Sequence, residues 1–128
     1  MSKRVVVTGM GAITPIGNNV EEFWKSVKEG KCGIDNISLF DNSTFKTKVD
    51  AEVKNYESQE YFDLKQSKRL DRSSQFAIIA SREAFKDSEI NAENTDLTKM
   101  GVVLGSGIGG LGTIEKENRA LVEKGPDR

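Results

Sequence analysis

A short run of valines opens the chain. Residues 5–7 are all valine, do not alternate with polar residues, and are soon followed by Gly9. An unbroken apolar run of this kind is typical of a strand that is covered on both faces of a parallel sheet. The pattern therefore predicts a buried strand over residues 4–8.

The next apolar positions have helical spacing. They form one stripe at i, i+3, i+4 and i+7, made of Val20, Phe23, Trp24 and Val27. Asn18, with Glu21 three residues later, has the sequence of an N-terminal capping box, and Gly30 is the residue type that commonly ends a helix. We predict a helix between Asn18 and Gly30, with Trp24 in the core rather than stacked on a ligand.

A second helix is predicted over residues 67–89, after a largely polar stretch in which only residues 47–53 alternate enough for a short strand. Its middle, residues 76–80, is apolar on all sides and should be largely buried. Small side chains recur at three- and four-residue steps and should let another segment approach closely. They are Ser73, Ala77, Ala80, Ser81 and Ala84.

The opening pattern repeats further on. Residues 101–105 form another apolar run, residues 105–110 are rich in glycine, and a third helix is predicted from Leu111 to a stop at Gly125. Strand, glycine loop and helix in this order indicate an α/β fold with a parallel sheet. Two strands do not make such a sheet, so we expect the chain to be part of a larger α/β protein. The alternative is a small complete α/β domain.

Composition removes several kinds of chemistry. The chain has no histidine and one cysteine, so it contains no Ser-His or Cys-His pair and no histidine-containing metal site. Without histidine, Cys32 is a poor candidate nucleophile. The net charge of −1 gives no overall attraction to nucleic acid or to an anionic membrane. No signal sequence or membrane span is recognisable, and we expect a soluble intracellular protein.

Two motifs have alternative interpretations. Residues 105–110 satisfy G-x-G-x-x-G after a predicted strand, which fits either a dinucleotide site or tight packing of a loop, and packing is favoured. A basic cluster on one helix face is either a solvated surface or a docking site for an acidic partner. Composition alone favours the solvated surface. The cluster consists of Lys65, Lys68, Arg69 and Arg72.

Several segments together resemble the β-ketoacyl-acyl-carrier-protein synthases, in the family's order and spacing. They are residues 4–11, 14–17 and 23–24, Gly33-Ile34, Phe40-Asp41, residues 71–77 and residues 101–110. The resemblance is strongest to the type II elongating enzymes of fatty acid synthesis. It implies a thiolase-like fold layered αβαβα, of which residues 1–128 would be the incomplete N-terminal part of one half.

The resemblance also implies a function. Members of the family join an acyl chain to malonyl-acyl carrier protein by decarboxylative condensation, using a cysteine and two histidines that lie downstream of this segment. The segment alone should therefore be inactive and needs no cofactor. The longer protein is expected to act as a cytoplasmic homodimer.

Individual residues take roles from the same resemblance. Ile108 matches the residue that lines the acyl pocket, which accounts for the glycines around it without a phosphate. Lys65, Lys68, Arg69 and Arg128 match positions that dock the acidic acyl carrier protein, whereas Asp127 departs from a residue that is often basic. Three alternatives remain: a polyketide ketosynthase, a Rossmann-type nucleotide-binding domain, and a non-catalytic module that binds carrier protein.

Overall fold

The computed structural model describes residues 3–126. Within them lie four α-helices and one two-stranded antiparallel hairpin. The helices are α1 (Val20–Lys28), α2 (Leu64–Arg69), α3 (Arg72–Asp87) and α4 (Leu111–Lys124), and the strands are β1 (Asp35–Asn36) and β2 (Val49–Asp50). β2 falls inside the short strand predicted over residues 47–53.

Helix α1 begins one residue later than predicted. Asn19, not Asn18, is the N-cap, and its side chain accepts a hydrogen bond of 2.8 Å from the backbone N–H of Glu22. Glu22 in turn accepts from the backbone N–H of Asn18 at 2.9 Å. The cap is thus shifted by one residue because either asparagine can serve as a cap, and the carboxylate of Glu22 binds the residue before the cap rather than the cap itself. At the other end, Gly30 has the predicted left-handed conformation, with φ of 66°.

The single helix predicted over residues 67–89 is two helices. Helix α2 ends at Arg69, because the next residue, Leu70, has an extended backbone with ψ of 129°, and α3 starts after Asp71. The side chain of Asp71 accepts a hydrogen bond from the N–H of Ser73 at 2.8 Å, and Asp63 caps α2 in the same way. Two aspartate caps so close together start two helices in succession, which apolar spacing alone does not indicate.

The two predicted valine-rich strands do not form ladders in this chain. Residues 4–8 and 101–105 have no strand partner, and the most exposed valines in these runs are Val5 at 93% and Val103 at 95%. The only sheet in residues 3–126 is the β1–β2 hairpin. A strand is defined by its hydrogen-bonded neighbour, and the two segments do not pair with each other.

The N-terminal segment packs closely on α3. A Cβ at Gly9 would lie 2.2 Å from the carbonyl oxygen of Ala84, and one at Gly11 would lie 1.9 Å from that of Ala80. These distances are far below any real carbon–oxygen contact, so both positions require glycine. The close approach predicted from the small side chains of α3 is therefore confirmed at Ala80 and Ala84.

Two carboxylates of α3 hold the same segment by its backbone. Glu83 accepts hydrogen bonds of 2.9 Å from the N–H groups of Ala12 and Val20, one through each oxygen. Asp87 accepts from the N–H of Met10 at 2.9 Å. Because Val20 is the first residue of α1, Glu83 also satisfies an N–H that has no partner within that helix.

The buried core is small. Phe62 and Ile79 are the buried apolar side chains in the described chain, at 6% and 7% exposure. Ile79 is the one buried residue of the predicted apolar stretch 76–80, whose other members are half-buried. Trp24 is 57% exposed, so its predicted place in the core is wrong here. Its stripe on α1 faces an open groove of about 800 Å³ against the N-terminal segment.

Candidate functional site

Helix α2 presents three basic side chains to solvent. Lys65, Lys68 and Arg69, here called the α2 patch, are all exposed. Lys65 stands three residues before Lys68 and four before Arg69, so the three share one face of the helix. None of the three side chains forms an ion pair within 4.0 Å among residues 3–126. The patch is an unneutralised positive surface.

Arg72 does not belong to this surface, contrary to the four-residue cluster predicted. Its guanidinium lies over the ring of Tyr56 at 5.4 Å and over that of Phe76 at 5.1 Å. It also donates a 3.0 Å hydrogen bond to the carbonyl oxygen of Val53. Because the break at Asp71 turns the chain, Arg72 ties the loop before α2 to α3 instead of extending the patch.

Gln75 holds α2 in place from beneath. Its side chain is 6% exposed and donates hydrogen bonds of 2.9 Å to the carbonyl oxygens of Ser67 and Leu70. Its Oε1 accepts from the hydroxyl of Tyr56. Partial burial raises the pKa of Tyr56 above its usual value, which keeps the hydroxyl protonated as a donor. The last turn of α2 is thereby fixed to α3.

Sequence reasoning did not identify Gln75 as a support residue. The available signal was a polar amide one residue before the apolar stretch 76–80 of a helix that should be largely buried. A buried amide needs partners for both of its polar atoms. Its partners lie five to nineteen residues away, at positions with no distinctive spacing.

The glycine loop, residues 105–110, is open over most of its length. Ile108 is 74% exposed, and a Cβ at Gly105 or Gly107 would meet nothing within 4 Å. The tight packing predicted for these glycines is therefore not found among the described residues. Gly109, with φ of 79°, needs glycine for its left-handed backbone instead.

Gly110 is the exception, because it lies against Asp71. A Cβ at Gly110 would be 2.6 Å from Oδ2 of Asp71, and the same oxygen accepts a 2.7 Å hydrogen bond from the hydroxyl of Thr113. The hydrogen bonds from Thr113 and Ser73 lower the pKa of Asp71. A carboxylate thus lies beside the first turn of α4, where a dinucleotide pyrophosphate would bind, which argues against the nucleotide-binding alternative.

Other chemistry is sparse in residues 3–126. Cys32 is an exposed free thiol, and no group of three or more acidic, cysteine or histidine side chains is arranged to hold a metal ion there. None of the described helices has the length and apolar character that crossing a bilayer requires. Arg128, predicted to belong to the docking surface, lies outside the described residues, as does Asp127, the predicted departure from a basic residue.

Comparison with known proteins agrees with these features. The profile of the family described as "Beta-ketoacyl synthase, N-terminal domain" matches residues 2–127. The chain is 42% identical over 127 residues to the 3-oxoacyl-[acyl-carrier-protein] synthase 2 of Staphylococcus aureus strain N315. This match covers 99% of the chain and 31% of that protein. It is also 42% identical over 126 residues to the protein of the same name from Synechocystis. That match covers 98% of the chain and 30% of the relative.

Solved structures give the same picture. A complex of a type II polyketide synthase acyl-carrier protein with its ketosynthase, bound to the hexaketide, matches with a TM-score of 0.74 and 28% identity, over 98% of this chain and 33% of that one. The ishigamide ketosynthase/chain length factor matches with a TM-score of 0.69 and 25% identity, over 91% of this chain and 29% of that one. The chain thus spans about a third of the length of these relatives. By its family match over residues 2–127, it belongs to the β-ketoacyl synthases, whose N-terminal domain it represents.

Proposed function

We propose that this chain works as the N-terminal part of a longer 3-oxoacyl-acyl-carrier-protein synthase that elongates acyl chains in fatty acid synthesis. The observation that carries the proposal is its 42% identity, over nearly its whole length, to relatives that bear this name. In the proposed reaction a cysteine accepts the acyl group as a thioester. Malonyl-acyl carrier protein then loses carbon dioxide, and its carbanion displaces the thiolate as the new carbon–carbon bond forms.

The described residues serve binding rather than bond making in this scheme. The chain has no histidine, so the groups that assist decarboxylation come from the rest of the protein, and the segment alone is inactive. Ile108 contributes to the acyl pocket. Its β-branched side chain stands among glycines that add no bulk around it, and its 74% exposure leaves it free to line a cavity completed by other parts of the protein.

The α2 patch supplies the docking surface for an acidic acyl carrier protein. The proposal is supported by the exposure of Lys65, Lys68 and Arg69, whose side chains form no ion pair within the described chain. Complementary charge of this kind speeds encounter and fixes orientation. Arg128 would extend the surface. A solved relative was captured with its acyl-carrier protein, which supports the same kind of partner here.

The fold of the longer protein is part of the proposal. Residues 4–8 and 101–105 become strands when they gain neighbours, and the segment joins one half of an αβαβα thiolase-like fold. The exposed valines of both segments support this, since a buried parallel strand needs cover on both faces. The longer protein acts as a homodimer in the cytoplasm, without a metal or cofactor.

The docking role is tested by removing charge from the complete protein. A triple variant with Lys65→Ala, Lys68→Ala and Arg69→Ala should weaken binding of acyl carrier protein at low salt by at least about tenfold, and should flatten its salt dependence. The matched control removes three exposed lysines elsewhere, with Lys25→Ala, Lys28→Ala and Lys116→Ala. Equal affinities of the two triple variants would refute the docking role.

A polyketide ketosynthase is the second candidate, favoured by the similarity to the ketosynthase of a type II polyketide synthase. The two functions differ in the acyl chain they extend, because a fatty acid chain is reduced between rounds and a polyketide chain keeps its carbonyl groups. The complete protein should show a higher kcat/KM for a saturated acyl carrier than for a 3-oxoacyl carrier. The reverse preference would favour the polyketide function.

A further inference from the structure

Asp71 lies between the two functional parts described above. It follows Arg69 of the α2 patch by two residues, and its two carboxylate oxygens have different partners. Oδ1 accepts hydrogen bonds of 2.8 Å from the N–H and the hydroxyl of Ser73, at the start of α3. Oδ2 accepts a hydrogen bond of 2.7 Å from the hydroxyl of Thr113, in the first turn of α4.

The glycine loop has little else to hold it. In the described part of the chain, the Thr113–Asp71 bond is the only hydrogen bond between residues 101–126 and the residues before them. Gly105 and Gly107 have open space around them, and Ile108 is 74% exposed. Among residues 3–126, packing of the loop's own side chains therefore does not set its position, and the Asp71 contact is the specific tie that this part of the chain supplies.

The contact between the glycine loop and Asp71 also depends on a close steric fit. Gly110 ends the loop, and a Cβ there would fall 2.6 Å from Oδ2 of Asp71. Any larger residue would push the carboxylate away from Thr113. On the other side, Gln75 fixes the last turn of α2 through Ser67 and Leu70, so no flexible spacer separates the α2 patch from Asp71.

We propose that Asp71 is a positioning residue, which fixes the glycine loop and hence Ile108 relative to the helix that carries the α2 patch. This inference rests on the proposed function, because it needs Ile108 to line the acyl pocket. A hydrogen bond to an ionised acceptor is stronger than a neutral one, so one carboxylate suffices to align the two helix starts. Asp71 contacts neither the acyl chain nor the carrier protein in this scheme.

The test removes the Thr113 hydroxyl and leaves the Asp71 cap on Ser73 intact. Thr113→Val keeps the shape of the side chain, and Thr113→Ser keeps the hydroxyl and is the matched control. The complete protein is assayed with dodecanoyl and hexanoyl acyl carrier protein. Thr113→Val should change the ratio of the two kcat/KM values by about fivefold, whereas Thr113→Ser should preserve the ratio of the unmodified protein.

A merely structural role would lower both kcat/KM values together and leave their ratio unchanged, and that result would overturn the inference. The variant Ile108→Ala separates the role of Ile108 in the acyl pocket from the role of Asp71. If Ile108→Ala shifts the ratio and Thr113→Val does not, only the positioning role fails. If the unmodified protein elongates neither acyl chain, the proposed function fails and the inference with it.

Hydrogen exchange gives an independent measurement on the same variants. In the complete protein, amides of residues 105–112 should exchange faster in Thr113→Val than in Thr113→Ser, because the loop has lost its tie to Asp71. Equal exchange in the two variants would also overturn the inference.

Discussion

Gly11 and Ala80 approach each other so closely that no other residue fits at position 11. A Cβ on Gly11 would lie 1.9 Å from the carbonyl oxygen of Ala80, which belongs to the backbone of α3 and cannot swing aside. The contact joins the first segment of the chain to its longest helix. It therefore fixes where the valine-rich segment runs relative to α3.

Gly11→Ala should destabilise the protein, because the added methyl group forces the backbone away from α3. We expect a loss of about 3 kcal/mol in the free energy of unfolding, measured by denaturant unfolding of the complete protein. Gly112→Ala in helix α4 is the matched control, since a Cβ there meets nothing within 4 Å, and it should be neutral or slightly stabilising. Equal effects of the two variants would contradict the close contact.

Gln75→Met should lower stability although it keeps the size of the side chain. The change removes both hydrogen bonds to the end of α2 and the one from Tyr56. Leaving buried polar groups without partners costs about 2–3 kcal/mol. Thermal unfolding of the complete protein would measure it, with Gln66→Met on the exposed face of α2 as control. A Gln75→Met protein as stable as the control would show that Gln75 does not support α2.

Most helices could be predicted from the sequence, since their signals are local. The apolar stripe, the asparagine cap and the glycine stop indicated the bounds of α1 to within a residue. Leu111 and Gly125 likewise marked the start and the end of α4. The break between α2 and α3 was missed because residues 71–75 are all polar and give no apolar spacing that would mark a break. The cap at this break depends on one side chain that turns back to its own backbone. Helix boundaries are decided by such single contacts.

The valine runs failed as strands for a different reason. Their unbroken apolar composition is typical of a strand that is buried on both faces. Such burial requires neighbouring segments, and residues 3–126 do not supply them to Val5 or Val103. Trp24 is exposed for the same reason, because residues 3–126 supply no segment that covers its side chain. The α2 patch was identified by spacing, but the link from Asp71 to Thr113 spans 42 residues and leaves no local pattern.

Asp71 should make stability depend on pH in the acidic range. Hydrogen bonds from Thr113 and Ser73 lower the pKa of Asp71 in the folded protein. The stabilisation is therefore complete above the unfolded pKa, about 3.9, and is lost as the pH falls through the lower folded value. The difference in unfolding free energy between the unmodified protein and Asp71→Ala should be larger at pH 7 than at pH 2.5. A difference that grows toward low pH would contradict this sign.

Glu83→Gln should loosen the N-terminal segment while leaving α3 intact. The carboxylate accepts from the N–H groups of Ala12 and Val20, one at each oxygen. The amide keeps one acceptor and turns a donor toward the other N–H, so one of the two bonds must fail. We expect a loss of about 1–3 kcal/mol and faster hydrogen exchange at Ala12, Val20 or both. Glu21→Gln, on the exposed face of α1, is the control and should leave both amides unchanged. If Glu83→Gln matched this control, the Gly11–Ala80 packing alone would suffice to hold the segment.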